Sequence, residues 1–494
     1  MFLGVVRRTI GHILLCLLNL FFMSYKTTIG LEVHAELNTE SKMFCGCKNE
    51  PHGSKPNTNI CPVCMAHPGT LPVANQKAIE MVLMFGQAVG AKIATYSEFD
   101  RKNYFYPDIP KAYQISQYAY PFLSGGELNG VALTRVHLEE DTARSQHDKG
   151  EGSLVDFNRA GVPLMELVTE PVINDAKTAG DFARELQLIL RTLGISKANM
   201  EKGEMRVEAN ISVSEDETKF GTKVEVKNLN SFKSVEAAIL YEVERQIELL
   251  ESGGEVKQET RGWDENRGRT FSQRSKETAK DYRYFPDPDL PKMQVDEYGA
   301  FSKSRLAEKI PILPSKKREL YKNLGLPSDQ IEILVTQLEL DKFLTRVLSA
   351  VSKNNNSDFI KLAANYLTSD VLALIAGGDK KLADLSPKNF AELIEMLLSK
   401  KINSRVAKDL LSDLFGTDKT PLALAEERNL LQVSDPAALK PIIEEILAEN
   451  EGPVQEYKNG KNTVLKFLVG QGMKKTRGTA NPAILEDALK EALK

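Results

Sequence analysis

Four cysteines stand as Cys45-x-Cys47 and Cys61-x2-Cys64, joined by a segment rich in Pro, Asn and Gly. Two tight knuckles can gather four thiolates into the closed tetrahedron of a structural zinc site. Reduced core cysteines and a pair of disulfides are the alternatives. Pro62 helps hold the second turn. A four-thiolate site has no open coordination position, so it would brace the fold and do no chemistry. The fifth cysteine, Cys16, lies in an apolar N-terminal stretch, which leaves no spare thiol nucleophile in the body of the chain.

A second set is acidic. Around Ile29–Leu37, apolar Ile29, Leu31, Val33, Ala35 and Leu37 alternate with Glu32, His34 and Glu36. Near 205–213, Arg206, Glu208 and Asn210 oppose Val207, Ala209 and Ile211; near 222–227, Lys223, Glu225 and Lys227 oppose Val224 and Val226. His137-Leu-Glu-Glu-Asp141 adds a further acidic cluster. Hard cations such as Mg²⁺ take oxygen ligands and keep waters or substrate phosphates. Glu32, His34, Glu140, Glu208 and Glu225 can converge on one such cation; the plain alternative for each is a solvated strand face. No Gly-x4-Gly-Lys-Ser/Thr or Gly-x-Gly-x2-Gly occurs, so any use of ATP is without a P-loop or Rossmann turn.

Basic and aromatic residues come third. Five tyrosines between Tyr104 and Tyr120 are interleaved with Arg101, Lys102 and Lys111, a composition suited to base stacking and phosphate contact as well as to a buried strand with polar trim. A similar stretch runs from Glu259 through Trp263, Arg267, Arg269 and Arg274 to Tyr282-Arg-Tyr284. Tyr457, Lys458, Lys461, Lys466, Lys474, Lys475 and Arg477 make a positive patch near the C-terminus.

These residues must be positioned by folded elements. Period-two alternation predicts strands whose apolar face is buried while the other lines a cleft. Met205–Val213 and Thr222–Lys227, joined by Ser214–Gly221, are expected to form an antiparallel hairpin. Helices are expected over Ala74–Gly90, Ala176–Leu193 and Val235–Glu251, and amphipathic helical stretches dominate beyond 293. The expected fold class is α+β: a mixed-sheet domain over 24–292 with a knuckle at 45–64, a helical domain over 293–405 and an all-α domain over 406–494. Residues 1–23 place Arg7 and Arg8 before a short apolar run that holds His12 and Asn19. They imitate a signal peptide but read best as the product of a start codon set too early. The 494 residues carry 64 basic and 68 acidic side chains, net −4, so nucleic-acid contact must come from local patches. All six histidines lie at or before His147 and all five cysteines at or before Cys64, which is no secreted disulfide framework.

The motifs Ile29-Gly-Leu-Glu-Val-His34, Pro68-Gly-Thr-Leu-Pro-Val-Ala-Asn75 and Arg101-Lys-Asn-Tyr-Phe-Tyr-Pro-Asp108 run in order along the chain. His137-Leu-Glu-Glu-Asp141, Leu154-Val-Asp-Phe-Asn-Arg-Ala-Gly-Val-Pro163, Lys227-Asn-Leu-Asn-Ser-Phe232 and Asp281-Tyr-Arg-Tyr-Phe-Pro-Asp-Pro-Asp289 continue the series. Together they resemble the B subunits (GatB) of the GatCAB aspartyl/glutamyl-tRNA(Asn/Gln) amidotransferase family, from Tyr25 to Lys494. Phe467-Leu-Val-Gly-Gln471 with Gly478-Thr-Ala-Asn-Pro482 is similar to that family's YqeY-like tail.

The resemblance implies a cradle-like kinase domain, a helical domain and a tRNA-binding tail. It implies a cytoplasmic ligase that uses ATP and Mg²⁺ to phosphorylate the side-chain carboxylate of a misacylated tRNA. Ammonia from glutamine then displaces phosphate. The family's amidase, GatA, releases that ammonia within a heterotrimer completed by the small protein GatC. No membrane is involved. Carried onto this chain, the catalytic set is Glu32, His34, Glu140, Glu166, Glu208 and Glu225, with His34 and Glu140 on magnesium. ATP and substrate fall to Lys102, Asn103, Tyr104, Tyr106, Arg206, Lys227 and Asn228. tRNA falls to Lys458, Lys461, Lys466, Lys474, Lys475 and Arg477, and zinc to Cys45, Cys47, Cys61 and Cys64. Position 208 often carries Asp in the family, and Ala66-His67 departs from its usual Gly-apolar pair. The rival readings are a zinc-braced tRNA-binding scaffold without catalysis, which predicts loss of the acidic residues, and a stand-alone ATP-dependent amide ligase.

Overall fold

The structure is a computed structural model that describes residues 25–146, 152–275, 282–351, 357–432, 436–476 and 480–493. The N-terminal stretch, with its reading as a misplaced start, lies outside the described residues, as do His147, Asp281 and Arg477. The fold is α+β, in two compact units, Met1–Leu313 and Pro314–Lys494.

The first unit is built on a ten-stranded sheet. Its principal strands are β1 (Lys26–Glu36), β2 (Val131–Glu140), β3 (Pro163–Thr169), β4 (Met205–Ser214), β5 (Val224–Leu229), β6 (Glu259–Asp264) and β7 (Arg269–Ser275). They run in the order β7-β6-β5-β4-β1-β3-β2, followed by the short strands Leu123–Ser124 and Lys92–Ile93. β4 and β5 form the antiparallel hairpin. β5 and β6 are parallel, with Glu225–Lys227 beside Thr260–Gly262, which makes the sheet mixed.

Apolar alternation drives the packing. Ile29, Leu31, Val33 and Ala35 of β1 share one core cluster with Val207, Ala209 and Ile211 of β4 and Val224 and Val226 of β5. Three helices complete that core: α1 (Gln76–Ala88), α2 (Ala176–Thr192) and α3 (Phe232–Glu251), contributing among others Phe85, Phe182 and Ile239. Each starts where a short polar side chain caps it: Asn75, Asp175 and Ser231 accept from backbone N–H groups of the first turn. The unit continues past residue 292. Met293–Gln294 pairs with Tyr96–Ser97, Leu306 enters the core and Lys309 ion-pairs with Glu80 of α1.

In the second unit the C-terminal helices gather Leu439, Ile446, Leu465, Leu468, Leu485 and Leu489 into a cluster of their own. Among the described residues one helical stretch, Ser357–Ala376, is long and apolar enough to cross a membrane. Its Phe359, Ile360, Ala363, Ala364, Leu367 and Val371 are buried.

Leu31 is fully buried directly before Glu32 and three residues before His34. Leu31→Ala is expected to lower the unfolding free energy by about 2–5 kcal/mol, read as a shifted denaturant midpoint at constant slope.

Candidate functional site

The sheet register assembles a polar ladder on the face opposite the core. His34 of β1 stands across from Glu166 of β3 and Arg206 of β4, and Glu32 across from Glu208. Glu166 stands across from His137 of β2, and Asn210 of β4 across from Glu225 of β5. Cross-strand partners share a face, so neighbouring strands deliver these side chains to one side. Glu32, His34, His137, Glu166, Arg206, Glu208 and Glu225 line a cleft of about 860 Å³ that also takes in Lys102, Tyr104, Glu139, Asp141 and Lys227.

Two groups inside the cleft have cation-ligand geometry. In the first, carboxylate oxygens of Glu32, Glu208 and Glu225 lie within 4.8 Å of one another. The register slips between Val207 and Ala209, so Glu208 sits at an irregularity that re-aims it. Asn210 Nδ2 donates to Glu32 at 2.7 Å, Thr260 Oγ1 to Glu225 at 2.7 Å, and Lys227 Nζ to Glu208 at 2.7 Å. Burial would lower the Lys227 ammonium, but Glu208 and Glu225 overcome it and hold it above its usual range.

The second group is His34, Glu139 and Glu166. His34 Nε2 lies 3.2 Å from Glu166 Oε2 and 3.8 Å from Glu139 Oε1. His137 Nε2 approaches the same Glu166 oxygen at 3.2 Å from the other side. Burial works against charge here, yet the carboxylates win: Glu166 and Glu139 raise His34 and push His137 up to about 9. Burial likewise opposes ionisation of Glu166, but His137 and His34 hold it well below the usual carboxylate range. Both groups offer hard oxygen donors with at most one imidazole, the set that suits Mg²⁺.

Cations and aromatics close the walls. Lys102 Nζ lies 5.1 Å from the Tyr282 ring centroid and 5.8 Å from that of Tyr104. Burial would lower this lysine, but Glu139 raises it. Arg206 pairs with buried Asp141 at 3.0 Å. Tyr118 is 63% exposed yet fixed, its ring stacked on Tyr284 with centroids 4.4 Å apart and its N–H donating to buried Asp100 at 2.7 Å.

Glu140 belongs to neither group. Its carboxylate meets Lys111 Nζ at 2.6 Å and accepts from the Ile115 N–H at 2.9 Å, on the side shared with apolar Leu138. Its neighbour Glu139 takes the cleft position. The sequence held the signal: buried Val136 and Leu138 alternate with His137 and Glu139, so 140 falls on the other face.

Lys102, Tyr104, Arg206 and Lys227 line the cleft, whereas Asn103, Tyr106 and Asn228 do not. Asn103 Nδ2 instead donates to the Arg283 carbonyl at 2.8 Å, tying two segments together. Tyr106 is half exposed beside Tyr104, and Asn228 turns outward at φ 65°. On the tail, Lys475 pairs with Glu445 and Glu449, and Lys461 with Glu456. Lys458, Lys466 and Lys474 are exposed.

The four clustered cysteines are reduced, with their sulfurs within 4.8 Å of one another. Cys64 Sγ is 3.9 Å from Cys61 Sγ and 4.0 Å from Cys47 Sγ. Bonds of about 2.3 Å to a tetrahedral zinc require edges of about 3.8 Å, so the donors and their spacing fit that metal. Hydrogen bonding from Cys45 holds the Cys64 thiol down to about 4, while the Cys45 thiol is pushed up in turn.

The GatB/GatE catalytic domain family matches residues 27–299, and the GatB domain family matches residues 346–493. The B subunit of the aspartyl/glutamyl-tRNA(Asn/Gln) amidotransferase of Caldicellulosiruptor saccharolyticus is 43% identical over 95% of this chain and 99% of its own length. The corresponding B subunits of Thermoanaerobacter sp. and Thermodesulfovibrio yellowstonii are 42% and 43% identical over 95% and 96% of this chain, each along its full length. With both units matched, the chain belongs to the family of aspartyl/glutamyl-tRNA(Asn/Gln) amidotransferase B subunits.

Proposed function

We propose that this chain activates and amidates the side-chain carboxylate of Glu-tRNA(Gln), Asp-tRNA(Asn) or both, as one member of a cytoplasmic heterotrimer. An amidase partner supplies ammonia from glutamine, and a small third protein completes the assembly. The observation that carries this reading is the pairing of two cation-ligand groups, two residues apart on β1, with Lys102, Arg206 and Lys227 in one cleft. A scaffold without catalysis has no use for six ligand side chains held by cross-strand partners.

In this reading a carboxylate oxygen of the substrate attacks the γ-phosphorus of ATP, and ADP leaves. Ammonia then attacks the acyl carbon; phosphate departs with the former carboxylate oxygen and takes up the released proton. Bound Mg²⁺ would neutralise charge on the transferring phosphoryl group. Glu32, Glu208 and Glu225, together with His34, Glu139 and Glu166, would hold it. Lys227 and Lys102 offer fixed ammonium groups for phosphate oxygens. The tyrosine walls keep water from an acyl phosphate that would otherwise hydrolyse. Cys45, Cys47, Cys61 and Cys64 would hold zinc as a brace, and Lys458, Lys466 and Lys474 offer the tail's exposed charge to the tRNA backbone.

The test is ATP hydrolysis by the reconstituted complex with Mg²⁺. It should depend on misacylated tRNA and be absent with correctly charged Gln-tRNA(Gln). Hydrolysis indifferent to the esterified amino acid would refute carboxylate activation.

A further inference from the structure

Lys42 is fully buried, and its position is unusual for a lysine. Its Nζ lies 3.7 Å from Cys64 Sγ and donates to the Phe157 carbonyl at 3.1 Å. No carboxylate pairs with it among the described residues, and Glu140 on the same side is taken by Lys111. A buried ammonium is strongly disfavoured unless an opposite charge compensates it. Among the described residues, the ionisable side chain that its ammonium contacts is Cys64 of the knuckle.

Lys42 is also woven into that knuckle. Its backbone N–H donates to the Cys47 carbonyl at 2.9 Å, and Met43 N–H to the Gly161 carbonyl at 2.7 Å. Gly161, at φ +86°, packs beside both partners: a Cβ there would lie in ordinary contact, 3.5 Å from Lys42 Cδ and 3.7 Å from Cys64 Cβ. Four thiolates around Zn²⁺ carry a net charge of about −2. That charge is buried on the Cys64 side, where the ammonium sits.

We propose that Lys42 is the internal counter-ion of a zinc-loaded knuckle, a positioning residue that sets metal affinity by offsetting the excess negative charge of the four-thiolate centre. This rests on the zinc reading of the knuckle. The bland alternative gives Lys42 only a packing role through Phe157. The two differ in their dependence on metal. A counter-ion stabilises the zinc-loaded centre more than the metal-free knuckle, whereas a packing residue acts alike in both states.

The experiment uses the full chain as wild type, Lys42→Met, Lys42→Gln and Lys42→Arg. Zinc affinity is read by competition with a chromophoric chelator, and melting temperature is read with and without zinc. Lys42→Gln can keep a hydrogen bond to Phe157 while losing the charge, so it carries the test if Lys42→Met does not fold. Both neutral variants should bind zinc at least about tenfold more weakly, with a melting temperature that falls further in the zinc-loaded than in the metal-free protein. Lys42→Arg should recover part of the affinity. Unchanged zinc affinity in Lys42→Gln, or an equal fall in melting temperature in both states, overturns the counter-ion role and leaves the zinc reading standing. Failure of the wild type to bind zinc overturns both.

Discussion

Glu208→Gln is expected to reduce tRNA-dependent ATP hydrolysis by roughly 10²–10³-fold while leaving tRNA affinity within a factor of about two. The substitution keeps the shape of the side chain and removes one charge from the Glu32, Glu208, Glu225 trio. It also removes the nearer of two carboxylate partners of Lys227, whose ammonium lies 2.7 Å from Glu208 and 3.4 Å from Glu225. With Glu225 alone left to oppose burial, the Lys227 ammonium should be held up less strongly. One element of phosphoryl-transfer electrostatics is thus lost and a second weakened. Gln also relieves like-charge crowding with Glu32 and Glu225, which offsets the lost ion pair, so the effect on stability should be small. ATP hydrolysis and filter binding of tRNA, measured on the same preparation, separate the two. Activity within tenfold of wild type would remove Glu208 from the phosphoryl-transfer site.

His34→Ala should cost a similar factor, and by a different route. It removes one donor from the His34, Glu139, Glu166 group and leaves Glu166 with His137 as its remaining imidazole partner. The pH dependence supplies a signature. Burial opposes charge on His34, but Glu166 and Glu139 raise it above its ordinary value, so the imidazole carries a proton below that raised value. A cation must displace this proton to bind the ring nitrogen. Apparent Mg²⁺ affinity should therefore fall as pH is lowered, and this dependence should flatten in His34→Gln. Magnesium titrations of ATP hydrolysis at two pH values read it. An unaltered pH dependence in the variant would take His34 out of cation binding.

Much of the cleft was legible because period-two alternation is a strong local rule. Glu32 and His34 on β1, Glu208 on β4 and Glu225 on β5 all follow from the apolar residues between them. The same rule, applied to His137–Asp141, separates Glu139 from Glu140, but two adjacent acids read as one cluster until the buried Leu138 decides the phase. Asn103 and Asn228 were harder. Each stands beside a cleft lysine, and neighbours on a strand face opposite ways. Lys475 was hard for another reason: it meets Glu445 and Glu449 from a different helix, a contact that no local pattern displays. The end of the first unit at Leu313 likewise depends on long-range packing, since Met293–Gln294 pairs with residues almost two hundred positions earlier. Lys42 was invisible altogether, because nothing in Ser41-Lys-Met43 announces a fully buried ammonium.

Phosphorylation of the substrate carboxylate before its amidation requires one carboxylate oxygen to leave with phosphate. The most direct measurement labels the side-chain carboxylate of the esterified glutamate with ¹⁸O and follows the label through one turnover of the reconstituted complex with ATP, Mg²⁺ and glutamine. One ¹⁸O is expected in the released inorganic phosphate for each amide formed, because the leaving phosphate takes the oxygen that attacked ATP. Amide formation with inorganic phosphate free of ¹⁸O would contradict phosphorylation of the carboxylate.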